Sequence, residues 1–253
     1  MKYLILFLFC FQKIFSAQEI EEDLLPKDET VLFVSLGSHC EPAIQMNFHK
    51  VRKRAFPFDW TFVSGHDNFI KILKEDFQNF FLPENLTLSK EYGWIINDSY
   101  YHMDFRHEFE DPAAEITDAV YLEVLEKSKE KFQKRINRFR QLKHFEGKVI
   151  FFKMANSFDP KHNVWHSYYE PEITSSQAVE LRDALKEYFP GLNFLLVIIN
   201  YNIRASESIE GFEDILEVRV DDQVTHENDA FDQLFNYLDS TYFLLVKEIS
   251  LTF

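Results

Sequence analysis

The sequence predicts an α/β protein, a three-layer sandwich in which a mostly parallel central sheet carries helices on both faces. Three observations predict it. Val31 to Leu36, Lys148 to Met154 and Asn193 to Ile199 are short, continuous apolar runs, the pattern of strands buried on both faces. Stretches of helical periodicity lie between and after them. The 253-residue chain contains no linker-like tract, so residues 28–253 are read as one α/β domain.

In chain order, an acidic lead-in (Glu19 to Lys27) precedes the first strand, Val31 to Leu36, and helical spacing follows from Pro42 to about Lys50. Pro57 breaks that spacing and is expected to fix an extended conformation. Phe69, Ile72, Leu73, Phe77 and Phe80 restore helical spacing over Asn68 to Phe81, and strand-like pieces follow at Trp94 to Ile96 and Tyr100 to Phe105. Ala114 to Phe145 reads as a long amphipathic helix, with Gly147 placed to end it. A strand at Lys148 to Met154, a serine-capped helix at Ser176 to Phe189, strands at Asn193 to Ile199 and Ile215 to Val220, and a helix from Ala230 to about Glu248 complete the pattern.

The ends and the composition narrow the function. Met1 to Phe11 give one positive charge and a short apolar run, and Gln12 to Gln18 add a small-residue cleavage region near Ser16 or Ala17. Residues 1–17 therefore read as a secretory signal peptide, and the protein as secreted. The run is shorter than the roughly 20 apolar residues of a membrane span, so no integral span is expected in the mature chain. Asn85-Leu86-Thr87 and Asn97-Asp98-Ser99 match the glycosylation sequon. A formal net charge of −15 repels phosphate backbones, which argues against nucleic acid as a partner. Lys127, Lys129, Lys131, Lys134, Arg135, Arg138, Arg140 and Lys143 form a basic strip on the long helix, more often a solvated face than an anion site.

Cleavage would remove Cys10 and leave Cys40 as the single thiol. Cys40 stands where a strand and a glycine-bearing turn lead into a helix. There the positive end of the helix lowers a thiol's pKa. A thiol nucleophile needs a base and oxyanion donors. His39 adjoins Cys40, but neighbours at a helix start are expected to point in different directions, so it reads as a cap or supporting group more than as the base. His107, in the alternating segment Tyr101 to Phe109, is the stronger candidate base, against the commoner reading of any one histidine as structural. In Phe56-Pro57-Phe58-Asp59-Trp60, three aromatics surround one carboxylate. A buried Asp59 either orients the histidine or pairs with Arg52 or Arg54, and both readings stay open.

Ser35-Leu36-Gly37-Ser38-His39-Cys40-Glu41-Pro42-Ala43, then Val51 to Arg54, then Phe56 to Trp60, then His107-Glu108-Phe109, form an ordered set. Over about residues 31 to 110 that set resembles the family of papain-like cysteine peptidases. The resemblance implies a thiol hydrolase acting on a peptide or other acyl substrate, with Cys40 as nucleophile, His107 as base and an acidic or amide residue as orienter. Asp59 lies in the matching motif, whereas Asn156 and Asp222 only stand near strand ends. A papain-type enzyme puts its cysteine on a helix of one lobe and its histidine on a β-rich lobe, which a strand-first α/β pattern does not match.

Other chemistries fare less well. A phosphatase loop needs an arginine where Met46 stands. His162 and His166 have helical metal-pair spacing but lack the acid of a metalloprotease, so no metal or cofactor is expected. Gly37-Ser38, with Asp221 to His226 after a strand, admits a lipase-like esterase using Ser38. The aromatic density of Phe56 to Trp60 and Tyr92 to Tyr101 admits a glycan- or protein-binding module without turnover.

Overall fold

A computed structural model describes residues 25, 29–37, 40–90, 93–109, 115–155, 172–201, 208–220 and 227–243. Among these residues eight strands form two sheets. β1 (Val31–Ser35), β6 (Lys148–Met154), β7 (Phe194–Tyr201) and β8 (Ile215–Val220) make a wholly parallel sheet in the order β1-β6-β7-β8. Its inner strands are apolar almost without interruption because both faces are covered.

The expectation of a single sheet is corrected by a second one. β2 (Thr61–Val63), β3 (Leu86–Lys90), β4 (Trp94–Asp98) and β5 (Met103–Phe105) form an antiparallel sheet in the order β2-β5-β4-β3, inserted between β1 and β6. β2 and β5 have three residues each, too few to show a period, and β3 has only Leu86 buried.

Among the described residues five α-helices accompany the sheets: α1 (Glu41–Phe48), α2 (His66–Lys74), α3 (Asp118–Gln141), α4 (Ser175–Tyr188) and α5 (Glu227–Leu238). α2 ends earlier than its apolar spacing predicts. Asp76 and Phe77 turn the backbone into the left-handed region (φ 47° and 61°), so Phe77 and Phe80 reach the core from a turn. The cap of α4 is Thr174, not a serine. Its hydroxyl accepts from Gln177 N at 3.3 Å while Gln177 Oε1 accepts from Thr174 N at 2.9 Å, a reciprocal capping box. Gly147 serves a close approach, not a helix end, because a Cβ there would collide with the Thr30 carbonyl and the Phe145 ring.

α3 links the two sheets. Its Phe132 meets Phe105 of the antiparallel sheet at 4.9 Å between ring centroids, and its Phe139 meets Phe151 of the parallel sheet at 6.4 Å. The basic strip on this helix is largely spent in structure. Arg138 donates to the Ala55 carbonyl, Lys131 pairs with Glu108 at 2.6 Å, Arg140 with Asp76 at 2.9 Å and Lys127 with Glu123 at 2.6 Å. Among the described residues no helix is long and apolar enough to cross a membrane.

Candidate active site

The geometry starts at the carboxyl end of β1. Leu36 N donates to Phe152 O at 2.8 Å, and the chain then leaves the sheet through Gly37. Gly37 has φ +74°, and a Cβ on it would lie 3.3 Å from Phe58 Cβ, so glycine is needed for both conformation and space. Cys40 follows, half-buried, at the cap position of α1, and its carbonyl accepts from Ile44 N at 3.0 Å. The thiol therefore sits at a helix N-terminus, where backbone N–H groups concentrate positive potential.

Glu41 occupies the first turn of α1. Burial raises its pKa, outweighing the bond from Gln45 Nε2 at 2.7 Å that favours the anion. A carboxyl that holds its proton more tightly than usual thus adjoins the thiol.

The loop rests on the turn formed by Phe56 to Thr61. Pro57 lies inside this turn and not in an extended segment: Asp59 N donates to Phe56 O at 3.3 Å and Thr61 N to Phe58 O at 3.4 Å. Proline's fixed φ suits the second position of such a turn. Asp59 is 1% exposed. Its Oδ2 accepts from Arg52 Nε (2.9 Å), Arg52 Nη2 (2.6 Å) and Phe56 N (3.0 Å). Oδ1 is buried and has no hydrogen bond among the described residues.

His107 reaches the same turn from the second sheet. Thr61 pairs with Phe105 across β2 and β5, and two residues outward along each chain stand Asp59 and His107. The His107 ring lies edge-on to Trp60, 5.5 Å between centroids, and the Arg52 guanidinium lies 5.6 Å from the same indole. His107 keeps an exposed face. Desolvation of the ring nonetheless holds its pKa below the ordinary histidine value. Arg106 and Lys131 act in the same direction and Glu108 opposes them. Glu108 fixes the segment from behind, accepting from Ser128 Oγ and from Lys131 Nζ on α3.

Gly37, the turn and His107 therefore come together, with Cys40 three residues beyond Gly37. Ser38, His39, Asn156, His162, His166, Asp221, Asp222 and His226 lie outside the described residues, as does the N-terminal segment 1–17. Phe56, Phe58 and Tyr101 are at most 1% exposed, so these aromatics of the supposed binding platform pack the core. Asn97 is engaged on both sides of its amide, by Ser89 at 2.7 Å and Asp104 at 2.7 Å, unlike a free glycosylation acceptor. Among the described residues no group of three or more His, Cys, Asp or Glu side chains could hold a metal ion.

A sequence model of the family described as "putative papain-like cysteine peptidase" matches residues 31–203, more than half of the chain. The chain belongs to this family. The match runs well past the motifs near residue 110 and takes in β6, α4 and β7. An uncharacterized protein of Acanthamoeba polyphaga mimivirus is 25% identical over 202 residues, which cover 72% of this chain and 83% of that protein. No solved structure gives a significant match. Cys40 opens α1 beside the parallel sheet, and His107 follows β5 of the antiparallel one.

Sequence reasoning missed two features of the site. Trp60 was counted only as an aromatic of its motif, yet it touches both His107 and Arg52. Glu41 was not singled out at all. The adjacency of Glu41 to Cys40 and of Trp60 to Asp59 was visible. The long-range pairing of Thr61 with Phe105 that gives Trp60 its partner was not.

Proposed function

We propose that the chain is a thiol hydrolase that cleaves an amide, ester or thioester bond, with Cys40 as nucleophile and His107 as general base. The observation that supports this most is the shared turn: the loop that delivers Cys40 packs through Gly37 on Phe58, and His107 packs on Trp60 two residues later. A depressed imidazole pKa keeps His107 in the basic form at neutral pH. His107 takes the thiol proton, the thiolate adds to the acyl carbon, and N–H groups of the first turn of α1 hold the oxyanion. The imidazolium returns its proton to the leaving group, and a water activated by the same histidine then hydrolyses the acyl-thiol. Asp59 is the proposed orienter, through the Oδ1 that Arg52 leaves unused.

The same reading takes residues 28–253 as one three-layer domain. Phe151 and Phe152 alternate on β6; the first meets Phe139 of α3 at 6.4 Å and the second Phe235 of α5 at 5.8 Å, which supports helices on opposite faces. Export through residues 1–17 completes it, with Asn85 as the accessible sequon, and N-terminal sequencing of the protein from its native host checks that point.

The test is turnover of fluorogenic amide, ester and thioester substrates. Cys40→Ser and His107→Asn are expected to lose about 100-fold or more in kcat/KM with an unchanged melting temperature. Full turnover in Cys40→Ser sinks the proposal, and its loss in Ser38→Ala alone would point to the esterase instead.

A further inference from the structure

The Glu108 side chain, next in the chain to His107, is 3% exposed. Burying a carboxylate is costly, and two donors from α3 offset the cost: the buried Ser128 hydroxyl and Lys131 Nζ at 2.6 Å. Phe132 follows Lys131 on α3, and Phe105, the last residue of β5, packs edge-on against it at 4.9 Å. Ser128, Lys131 and Phe132 stand three and four residues apart, so they share one side of the helix. The segment is therefore tied to the same side of α3 before His107, by a ring, and after it, by an ion pair. Phe109 adds a contact with Trp94 of β4 at 6.5 Å between centroids. Between these ties His107 meets Trp60 of the turn, edge-on at 5.5 Å.

We propose that Glu108 is a positioning residue of the thiol site, anchored on α3 so that the His107 imidazole is held against Trp60. The inference rests on the thiol-hydrolase reading, in which His107 is the base. Phe105 fixes how deep the segment lies, but apolar contact is non-directional and sets no register. The bonds from Ser128 and Lys131 to one carboxylate are directional and do. The charge of Glu108 has a second consequence. The charged groups facing the imidazole are Arg106 and Glu108 on its own segment, Lys131 on α3 and, against Trp60, Arg52 with its partner Asp59. Arg106 is paired with Asp104 at 2.9 Å. Arg106 and Lys131 disfavour the imidazolium, whereas Glu108 favours it. Glu108 thus answers Lys131 twice, by binding it and by offsetting its field at the ring.

NMR titration of the His107 imidazole, with the pH dependence of kcat and KM, tests this on the full chain. Glu108→Ala is expected to lower kcat about 10- to 100-fold with KM little changed, as a displaced catalytic group does. Glu108→Gln keeps an acceptor for Ser128 and Lys131 and is expected to retain most of kcat, while the imidazole midpoint and the acid limb of activity both move to lower pH. Lys131→Met moves both to higher pH. A merely structural tie would not give these opposite signs. Wild-type kcat in Glu108→Ala, or unmoved midpoints in folded Glu108→Gln and Lys131→Met, overturns the inference. If Glu108→Ala does not fold, the midpoints of the other two variants decide. Absence of turnover in the wild type, or full turnover in Cys40→Ser, overturns the thiol-hydrolase reading instead, and the titrations, which need no substrate, still decide on Glu108.

Discussion

Trp60 shows how much one side chain carries. It contacts both Arg52 and His107, whose imidazole is desolvated. Replacing it by alanine lets water reach the ring, so the His107 pKa is expected to rise toward the ordinary 6.5, as followed by NMR titration of the imidazole. The acid limb of the activity profile moves up with it, because the basic form is then lost at higher pH. A pKa that stays depressed in Trp60→Ala assigns the desolvation to other neighbours. Cys40, His107 and Asp59 were legible as suspects because each residue type is chemically marked and stands in a short motif. Their relations were not. Asp59's bond to Arg52 was one of two readings left open, and the contact of His107 with Trp60 depends on strand pairing that no local pattern encodes.

Among the elements, α3 is decisive. Phe139 is wholly buried and meets Phe56, Phe58, Phe77, Phe151 and Phe189, so it joins the turn beneath the site to the parallel sheet. Phe139→Ala is expected to cost about 3–5 kcal/mol in denaturant unfolding and to lower activity with stability, since Phe58 loses its support. A loss under about 1 kcal/mol would mean that the surrounding rings collapse into the space. The sequence made long, strongly periodic elements plain: α3, α4 and the parallel strands fall close to their expected places. It marked β4 and β5 as strand-like pieces but hid β2, β3 and the pairing that makes them one sheet, and it overextended α2, because the phenylalanines of the following turn mimic helical spacing.

For the molecule as a whole, pH dependence follows from several carboxylates. For Glu75, Asp76 and Asp214, burial alone would raise the pKa. Hydrogen bonds from Tyr101, Asn79 and Tyr100 to Glu75, from Arg140 and Tyr188 to Asp76, and from Lys186 to Asp214 together hold all three below their ordinary values. Their stabilisation is complete above the usual carboxylate range and is lost as pH falls through their native pKa values. Glu41 and Asp98 have the opposite sign: burial raises both, and the stability they add at low pH is lost as pH rises through their native values. Urea midpoints measured from pH 3 to 7 are expected to fall on acidification below about pH 4, and less steeply in Asp76→Asn. An identical slope in that variant removes Asp76 from the account.

The pairing of Val31 with Lys148 also sets an order of events. The strand that launches the nucleophile emerges early in synthesis, but its neighbour in the sheet is made only after the whole antiparallel insertion and α3. Contacts so distant along the chain close slowly. Until β6 arrives, the loop of Cys40 has no sheet to leave, so a growing chain carries its thiol on a segment whose folded support has not yet been made.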